Sequence, residues 1–189
     1  MAGYTALYDA CVLYPAPLPD LLLQLAITDL FRAKWSAAIH DEWIRSLLKV
    51  RTDLKPEQLQ RTRDLMDANV RDALIVDYAA LIPAIQLPDP NDCHVVAAAI
   101  RGRCDVIVTY NLKHFPPQEL KKYDLEVQHP DEFVGHLSNL RPEIVCGAVK
   151  NCRLRLKSPT QSVDDYLMTM AKQRLPDLVG FLNHHRELI

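Results

Sequence analysis

The sequence predicts an α/β fold with a central parallel sheet, followed by an all-α C-terminal extension. Two short apolar segments, Thr5–Asp9 and Val106–Thr109, have the length and composition of buried strands. The second strand follows a helical segment after a short loop containing Gly102, which is the order of a parallel βαβ unit. Beyond Arg141 the apolar pattern predicts helices only. We therefore expect an α/β domain at residues 1–140 and a helical extension at residues 141–189.

Length and composition fit one globular domain of ordinary size with an appendage, since the 189 residues are 49% hydrophobic and 24% charged. The longest apolar run, Leu21–Ile27, is too short to span a bilayer, and the opening MAGYTALYDA lacks the pattern of a signal peptide. We therefore expect a cytoplasmic protein with five reduced cysteines and no membrane partner. The net charge of −2 excludes a global basic field, so a nucleic acid would need a local cluster or a metal ion.

Helical periodicity follows the first strand. Leucines dominate Asp20–Leu30, which we predict to be a core helix with part of its surface, including Leu22 and Leu25, available to a partner chain or a second copy. Ser36 is the predicted N-cap of a helix with one apolar face made of Ile39, Trp43, Leu47 and Val50. Pro56 begins a polar amphipathic helix whose apolar residues are Leu59, Leu65 and Met66.

Weaker signals complete the chain. We predict short strands at Leu74–Val76 and Leu125–Val127 and a helical turn at Ala79–Ile85. Further helices are predicted from Asp92 to Gly102 and at Asp131–Leu140, Pro142–Leu156, Ser162–Arg174 and Pro176–Ile189.

Acidic residues stand at the ends of several of these elements. The stretch Leu87–Ile100, LPDPNDCHVVAAAI, joins a proline-containing loop to a helix of small residues, with Asp89 and Asp92 at the junction. Helix capping explains one such Asp but does not require two. Asp9 ends a buried strand, where ligand sites of open α/β sheets lie, and a carboxylate in an apolar run needs a partner. Glu42 lies on the flank of a helix, where it reads equally well as a solvated residue.

A cleft that gathers these carboxylates would point to a hard metal cation. Carboxylates repel one another unless a cation lies between them, and Mg²⁺ and Mn²⁺ prefer oxygen ligands. Such an ion lowers the pKa of bound water and neutralises charge that develops on a phosphodiester. Zinc is not predicted, because the adjacent Cys93 and His94 lack the usual ligand spacing and the chain has no CxxC pair.

Four segments, in this order, resemble the motifs of the PIN domain, a fold of metal-dependent ribonucleases that includes the VapC-type toxins. The first three are similar to the acidic motifs of that family: YDACVLYP at Tyr8–Pro15, IHDEW at Ile39–Trp43 and DCHVVAAA at Asp92–Ala99. The fourth is VTYNLKHFP at Val108–Pro116. The resemblance implies a three-layer α/β/α sandwich over about residues 4–140, and the tail resembles the helical extension of one bacterial subgroup.

The resemblance also implies roles for individual residues. Asp9 and Asp92 would hold Mg²⁺ or Mn²⁺ directly, Glu42 would bind it through water or orient the attacking water, and Asp89 would be an additional or supporting ligand. Thr109 and Asn111 would place the ligands or the scissile phosphate. The cations expected at phosphates are Arg45, Lys49 and Lys113.

One position departs from the family pattern. Members of the family usually have Asp immediately before the Phe of the fourth motif, and this chain has His114 there. The cleft would then carry one negative charge less, so we expect weaker metal binding, or an ordinary loop residue if the side chain faces solvent.

The resemblance implies an endoribonuclease acting as the toxin of a toxin–antitoxin pair, with RNA as substrate and an antitoxin as partner. The apolar surplus of Asp20–Leu30 leads us to expect a homodimer. The alternative is a catalytically weakened or inactive module that binds RNA or protein, because of His114. A receiver-type phosphorylation domain fits less well, since only Asp9 is acidic early in the chain and Lys113 lies on a predicted loop.

Overall fold

The computed structural model describes residues 3–14 and 17–189. Pro15, the last residue of the first motif, lies outside the described residues, as do Met1, Ala2 and Ala16. The strands are β1 (Thr5–Tyr8), β2 (Arg32–Ser36), β3 (Leu74–Ile75), β4 (Val106–Val108) and β5 (Glu126–Gln128). They form one sheet in the order β3-β2-β1-β4-β5, and every pairing is parallel. The predicted parallel α/β sheet is confirmed.

Helices pack around this sheet and confirm the three-layer α/β/α arrangement with a helical C-terminal part. They are α1 (Leu18–Ala26), α2 (Ala37–Val50), α3 (Pro56–Asn69), α4 (Cys93–Arg101), α5 (Pro117–Leu120), α6 (Pro130–Leu140), α7 (Pro142–Arg155), α8 (Val163–Lys172) and α9 (Pro176–His184). Within the described ranges, none of them combines the length and apolar character needed to cross a bilayer.

Strand β2 is missing from the sequence prediction. Its sequence, RAKWS, buries Ala33, Trp35 and Ser36, whereas Arg32 is exposed and Lys34 is partly buried. The two cations therefore hide the apolar signal of a strand that is central in the sheet, between β1 and β3. Central parallel strands are usually recognised by continuous apolar runs, as in β1 and β4, whose residues are all buried.

The predicted helix faces are partly wrong. The Ser36 cap is confirmed, because its Oγ accepts a hydrogen bond from the Ile39 amide at 3.3 Å. Val50, however, is 74% exposed, since it is the last residue of α2 and the chain turns away after it. Leu65 is 53% exposed, whereas the adjacent Met66 is buried. Adjacent residues of a helix point about 100° apart, so the two side chains do not share one face.

The leucine face of α1 belongs to the core of this chain. Leu22 and Leu25 are fully buried, so the predicted partner surface on these residues is wrong. The C-terminal part contributes to the packing of this helix, because α7 contacts α1. Their contact includes Cys152, whose Sγ lies 3.5 Å from the carbonyl oxygen of Asp20.

Hydrogen bonds of two residues, Asp131 and Tyr110, connect the last helices to the rest of the fold. The buried Asp131 of α6 accepts hydrogen bonds from the amides of Asp177 and Leu178, both at 2.9 Å, and so caps the start of α9. The Tyr110 hydroxyl donates to the Gln173 carbonyl at 2.8 Å, just beyond α8. The boundary that we place at residue 140 thus separates two parts that share buried contacts.

Candidate metal centre

The register of the sheet brings the first acid of the candidate site beside a threonine. Tyr8 of β1 pairs with Val108 of β4, so Asp9 and Thr109 leave neighbouring strands side by side at their carboxyl ends. Thr109 Oγ1 donates to Asp9 Oδ2 at 2.6 Å, and both residues are buried. The adjacency of Asp9 and Thr109 thus follows from the pairing of β1 with β4.

Both carboxylate oxygens of Asp9 are engaged. Oδ1 accepts from the Ala10 amide at 2.7 Å, which caps a short 3₁₀ turn. Oδ2 accepts from Cys11 Sγ at 3.1 Å in addition to the threonine. Burial in this apolar strand end also raises the pKa of the Cys11 thiol, so the thiol stays protonated and remains a donor. The carboxylate is thus held in one orientation.

Asp92 approaches the same place from the start of α4, because helices of βαβ units begin near the carboxyl ends of the strands. Its side chain makes no capping hydrogen bond within the described part of the chain and instead lies 2.8 Å from Nδ1 of His114. Burial raises the pKa of Asp92, the His114 hydrogen bond opposes this, and the charges of Asp9 and Asp89 raise it further. The carboxylates of Asp9 and Asp89 are therefore close enough to Asp92 to act on it electrostatically.

Asp89 and His114 complete a possible ligand set around Asp92. Asp89 accepts from the amide of Asn91 at 3.0 Å, so the capping explanation holds for this residue. One ligand atom each of Asp89, Asp92 and His114 lie within 4.8 Å of one another. His114 therefore sits among the acids, at the position where the family pattern has Asp.

Glu42 enters from the second turn of α2. Its Oε1 lies 2.9 Å from Nε2 of His94, a residue of α4 that is 52 positions away in the chain. The carboxylate is 35% exposed, and His94 is 14% exposed. The helix flank on which the sequence places Glu42 thus faces another polar group.

These elements enclose a cleft of about 240 Å³. Asp9, Glu42 and Asp92 all line it, and its other polar walls include Asn111, Arg45 and Lys49. In the described part of the chain, neither of these two cations forms an ion pair. Lys113 is exposed and does not line the cleft.

Sequence reasoning missed three residues of this region. Cys11 and Tyr14 line the cleft, and His94 orients Glu42. The first two lie within the first motif, which could have drawn attention to them, whereas nothing in the sequence pairs His94 with a residue of α2.

The donor chemistry fits a hard divalent cation. Two carboxylates and one imidazole nitrogen converge, and the charge of Asp9 acts on Asp92 from the strand end. The carboxylate oxygens suit Mg²⁺ and Mn²⁺, and of these two ions Mn²⁺ accepts the imidazole nitrogen more readily.

Comparison with known proteins gives two family matches. The model of the PIN domain matches residues 5–113, which is more than half of the chain, and the model of the VapC50 C-terminal domain matches residues 130–184. A relative from Mycobacterium tuberculosis (strain ATCC 25618 / H37Rv), named "Putative ribonuclease VapC50", is 58% identical over 44 residues. That alignment covers 23% of this chain and 26% of the relative, so it spans about a quarter of the relative's length. No solved structure matches the chain.

Proposed function

Because this chain belongs to the PIN domain family, we propose that it is a Mg²⁺- or Mn²⁺-dependent endoribonuclease and the toxin of a toxin–antitoxin pair. The observation that carries the proposal is the convergence of Asp9, Glu42 and Asp92 on one cleft that is also lined by the cations Arg45 and Lys49. The name of the mycobacterial relative supports RNA as the substrate.

The ion would be held by Asp92, with Asp9 and Asp89 as further oxygen ligands and His114 as a nitrogen ligand. When bound, it would neutralise charge on the phosphodiester and lower the pKa of a water molecule. Glu42, held by its contact with His94, would orient a water molecule for attack on phosphorus and take up its proton as the new O–P bond forms. The leaving ribose oxygen takes the electron pair of the broken P–O bond and a proton from solvent.

The remaining polar groups of the cleft position the RNA. Arg45 and Lys49 bind the phosphate next to the scissile bond as point charges and hydrogen-bond donors. Thr109 holds Asp9 in its orientation, and Asn111 offers an amide to the sugar–phosphate backbone.

The proposal extends to partners and place of action. The expected partner is a cognate antitoxin, which the relative's VapC name supports, and a homodimer would need a surface other than the buried leucines of α1. The five free cysteines agree with a reducing cytoplasm.

One observation favours a second function, a weakened or inactive module that binds RNA or protein. His114 replaces an acid and occupies one side of the Asp92 carboxylate at 2.8 Å, which reduces the negative charge available to a metal. Metal affinity and cleavage separate this alternative from the enzyme.

The test combines cleavage of a circular single-stranded RNA, which only an endonuclease can open, with the rise in melting temperature on addition of Mg²⁺ or Mn²⁺. A ligand at 100 times its Kd stabilises the folded state by about 2.7 kcal/mol. Asp9→Asn and Asp92→Asn should abolish both effects. Asp124→Asn is the matched control, since Asp124 is exposed beside β5 and its left-handed backbone (φ 55°) suits Asn.

Three outcomes are decisive. Loss of cleavage and of the metal shift in both site variants, but not in the control, supports the enzyme. RNA binding by the wild type without cleavage supports the inactive module. Cleavage that persists in Asp9→Asn or Asp92→Asn contradicts the assignment of the site.

A further inference from the structure

A second cleft of about 310 Å³ lies beside the acidic one. The two clefts share Cys11 and Tyr14, so they are continuous along the surface. The wall of the second cleft includes Lys172, Gln173 and Arg174, which lie at the end of α8 in the C-terminal part of the chain. Residues of the helical extension therefore border the candidate metal centre.

Hydrogen bonds of Tyr110 connect this wall of the second cleft to residues of the candidate metal centre. The hydroxyl of Tyr110 donates to the Gln173 carbonyl at 2.8 Å. The backbone amide of Tyr110 donates to Cys11 Sγ at 3.2 Å. Tyr110 follows Thr109 directly, so one loop contacts both the extension and the ligand Asp9. The cations at the end of α8 are thus held at a fixed place relative to the acids.

The charges of the second cleft suit a polyanion. Lys172 and Arg174 are exposed, and neither forms an ion pair among the residues that the structure describes. A favourable interaction with the dipole of α8 explains a lysine in its last turn, but Arg174 lies beyond the helix. Together with Arg45 and Lys49 in the first cleft, they provide cations along both parts of the groove, on a chain with a net charge of −2.

We propose that the second cleft is a binding subsite for the RNA strand, in which Lys172 and Arg174 bind phosphates on one side of the scissile bond. This inference rests on the proposed nuclease function and deepens it. RNA fits better than an acidic protein segment, because the cleft opens into the acidic cleft and Tyr14, an aromatic ring that can stack on a base, lies at the junction.

The experiment measures binding of a labelled single-stranded RNA in EDTA, where cleavage is absent, over a series of salt concentrations. Each phosphate contact on a single strand contributes about 0.7 to the slope of log K against log salt, so Lys172→Ala/Arg174→Ala should reduce the slope by about 1.4 and weaken binding about tenfold near 0.15 M salt. With metal present, KM should rise by a similar factor while kcat stays unchanged, since these cations lie outside the acidic cleft.

The control is Lys150→Ala/Lys157→Ala, which removes the same charge from exposed positions of the extension that line neither cleft. Its RNA affinity should equal that of the wild type, and an equal loss in both double variants would overturn the subsite. Unchanged RNA affinity in Lys172→Ala/Arg174→Ala, with lost binding of a poly-glutamate peptide, would assign the surface to an acidic protein partner and overturn it too.

The failure of the subsite can be told from the failure of the nuclease. A wild-type protein that neither binds nor cleaves RNA contradicts the proposed function and removes the subsite with it. A wild type that cleaves RNA, with no change of KM in Lys172→Ala/Arg174→Ala, contradicts the subsite alone.

Discussion

Two histidine–carboxylate arrangements include a residue of α2, His40 in the first and Glu42 in the second. Because these residues are two positions apart, their side chains point about 200° apart around the helix. The first is closed. His40 is fully buried, Trp43 Nε1 donates to its Nδ1 at 2.9 Å, and its Nε2 lies 3.1 Å from Asp67 Oδ1, which also accepts from Trp35 Nε1 at 2.7 Å. An indole N–H can only donate, so Nδ1 is the acceptor and Nε2 carries the proton. Every polar atom of this neutral ring has a partner.

The second arrangement is open. Glu42 pairs with His94 and Asp92 pairs with His114, yet both carboxylates also face the cleft. Nδ1 of His94 is buried and has no hydrogen-bond partner among the described residues.

The difference indicates what each arrangement does. A closed polar network stabilises one conformation, and removing a member leaves its partners unsatisfied. An open one keeps hydrogen-bonding capacity for a ligand and contributes less to stability. We therefore expect substitutions to separate the two, with stability lost at His40 and activity lost at Glu42.

The largest expected effect is the loss of stability in His40→Ala. The substitution leaves a cavity and removes the partner of Trp43 Nε1, while Asp67 keeps its hydrogen bond from Trp35. The free energy of unfolding should therefore fall by about 3 kcal/mol, with a melting temperature lower by roughly 6–12 °C. Asp41→Ala on the same helix is the control, since its ion pair with Arg63 is exposed and contributes at most about 1 kcal/mol. Urea unfolding measures both, and equal losses would contradict a closed network.

Glu42→Gln should show the reverse pattern. RNA cleavage should fall about a hundredfold, because an uncharged amide cannot take up the proton of the attacking water. The melting temperature should change little, since the side chain is about one third exposed. Glu57→Gln, an exposed residue in the first turn of α3, should leave both quantities unchanged. A Glu42→Gln variant that cleaves at the wild-type rate would show that this side of α2 has no catalytic role.

A smaller effect is expected from His114→Asp, which replaces an imidazole among the acids with a carboxylate. The Kd for Mg²⁺, measured by calorimetry, should decrease about tenfold. The exposed His136 provides the control, His136→Asp, which adds the same charge outside the site. If the two variants bind Mg²⁺ equally, His114 acts as an ordinary loop residue.

The smallest effect concerns pH. Burial lowers the pKa of His40, although the hydrogen bond to Asp67 opposes this. In the unfolded chain His40 takes up a proton near pH 6.5, whereas in the folded chain it does so only at lower pH. The free energy of unfolding should therefore be highest above pH 6.5 and should decrease by up to about 1 kcal/mol between pH 7 and 5.5. His40→Asn should reduce this dependence to the part due to His129, whose pKa burial also lowers. An unchanged dependence would mean that His40 titrates normally.

The sequence predicts those parts of the fold and site that depend on position along the chain. β1 and β4 are buried on both faces and read as apolar runs, so the sequence alone places Asp9 and Thr109 at strand ends. Asp92 could be placed in the same way, because it precedes a helix. In β2, the charged Arg32 and Lys34 mask the pattern.

The remainder depends on packing between distant segments, which no local pattern encodes. The contact between His94 and Glu42 requires α4 to lie beside α2, and the placement of Arg174 requires the extension to dock through Asp131 and Tyr110. The packing of α1 likewise involves α7, which is distant in the sequence.

That last contact has a consequence for synthesis of the chain on the ribosome. Asp20 and Cys152, which meet where α1 packs on α7, are 132 positions apart. At about 5–20 residues per second, roughly 7–26 s pass between the synthesis of α1 and that of the helix that packs on it. During that interval the nascent chain exposes an apolar helix face, which makes it a target for chaperones and a source of aggregation if translation stalls before α7 emerges.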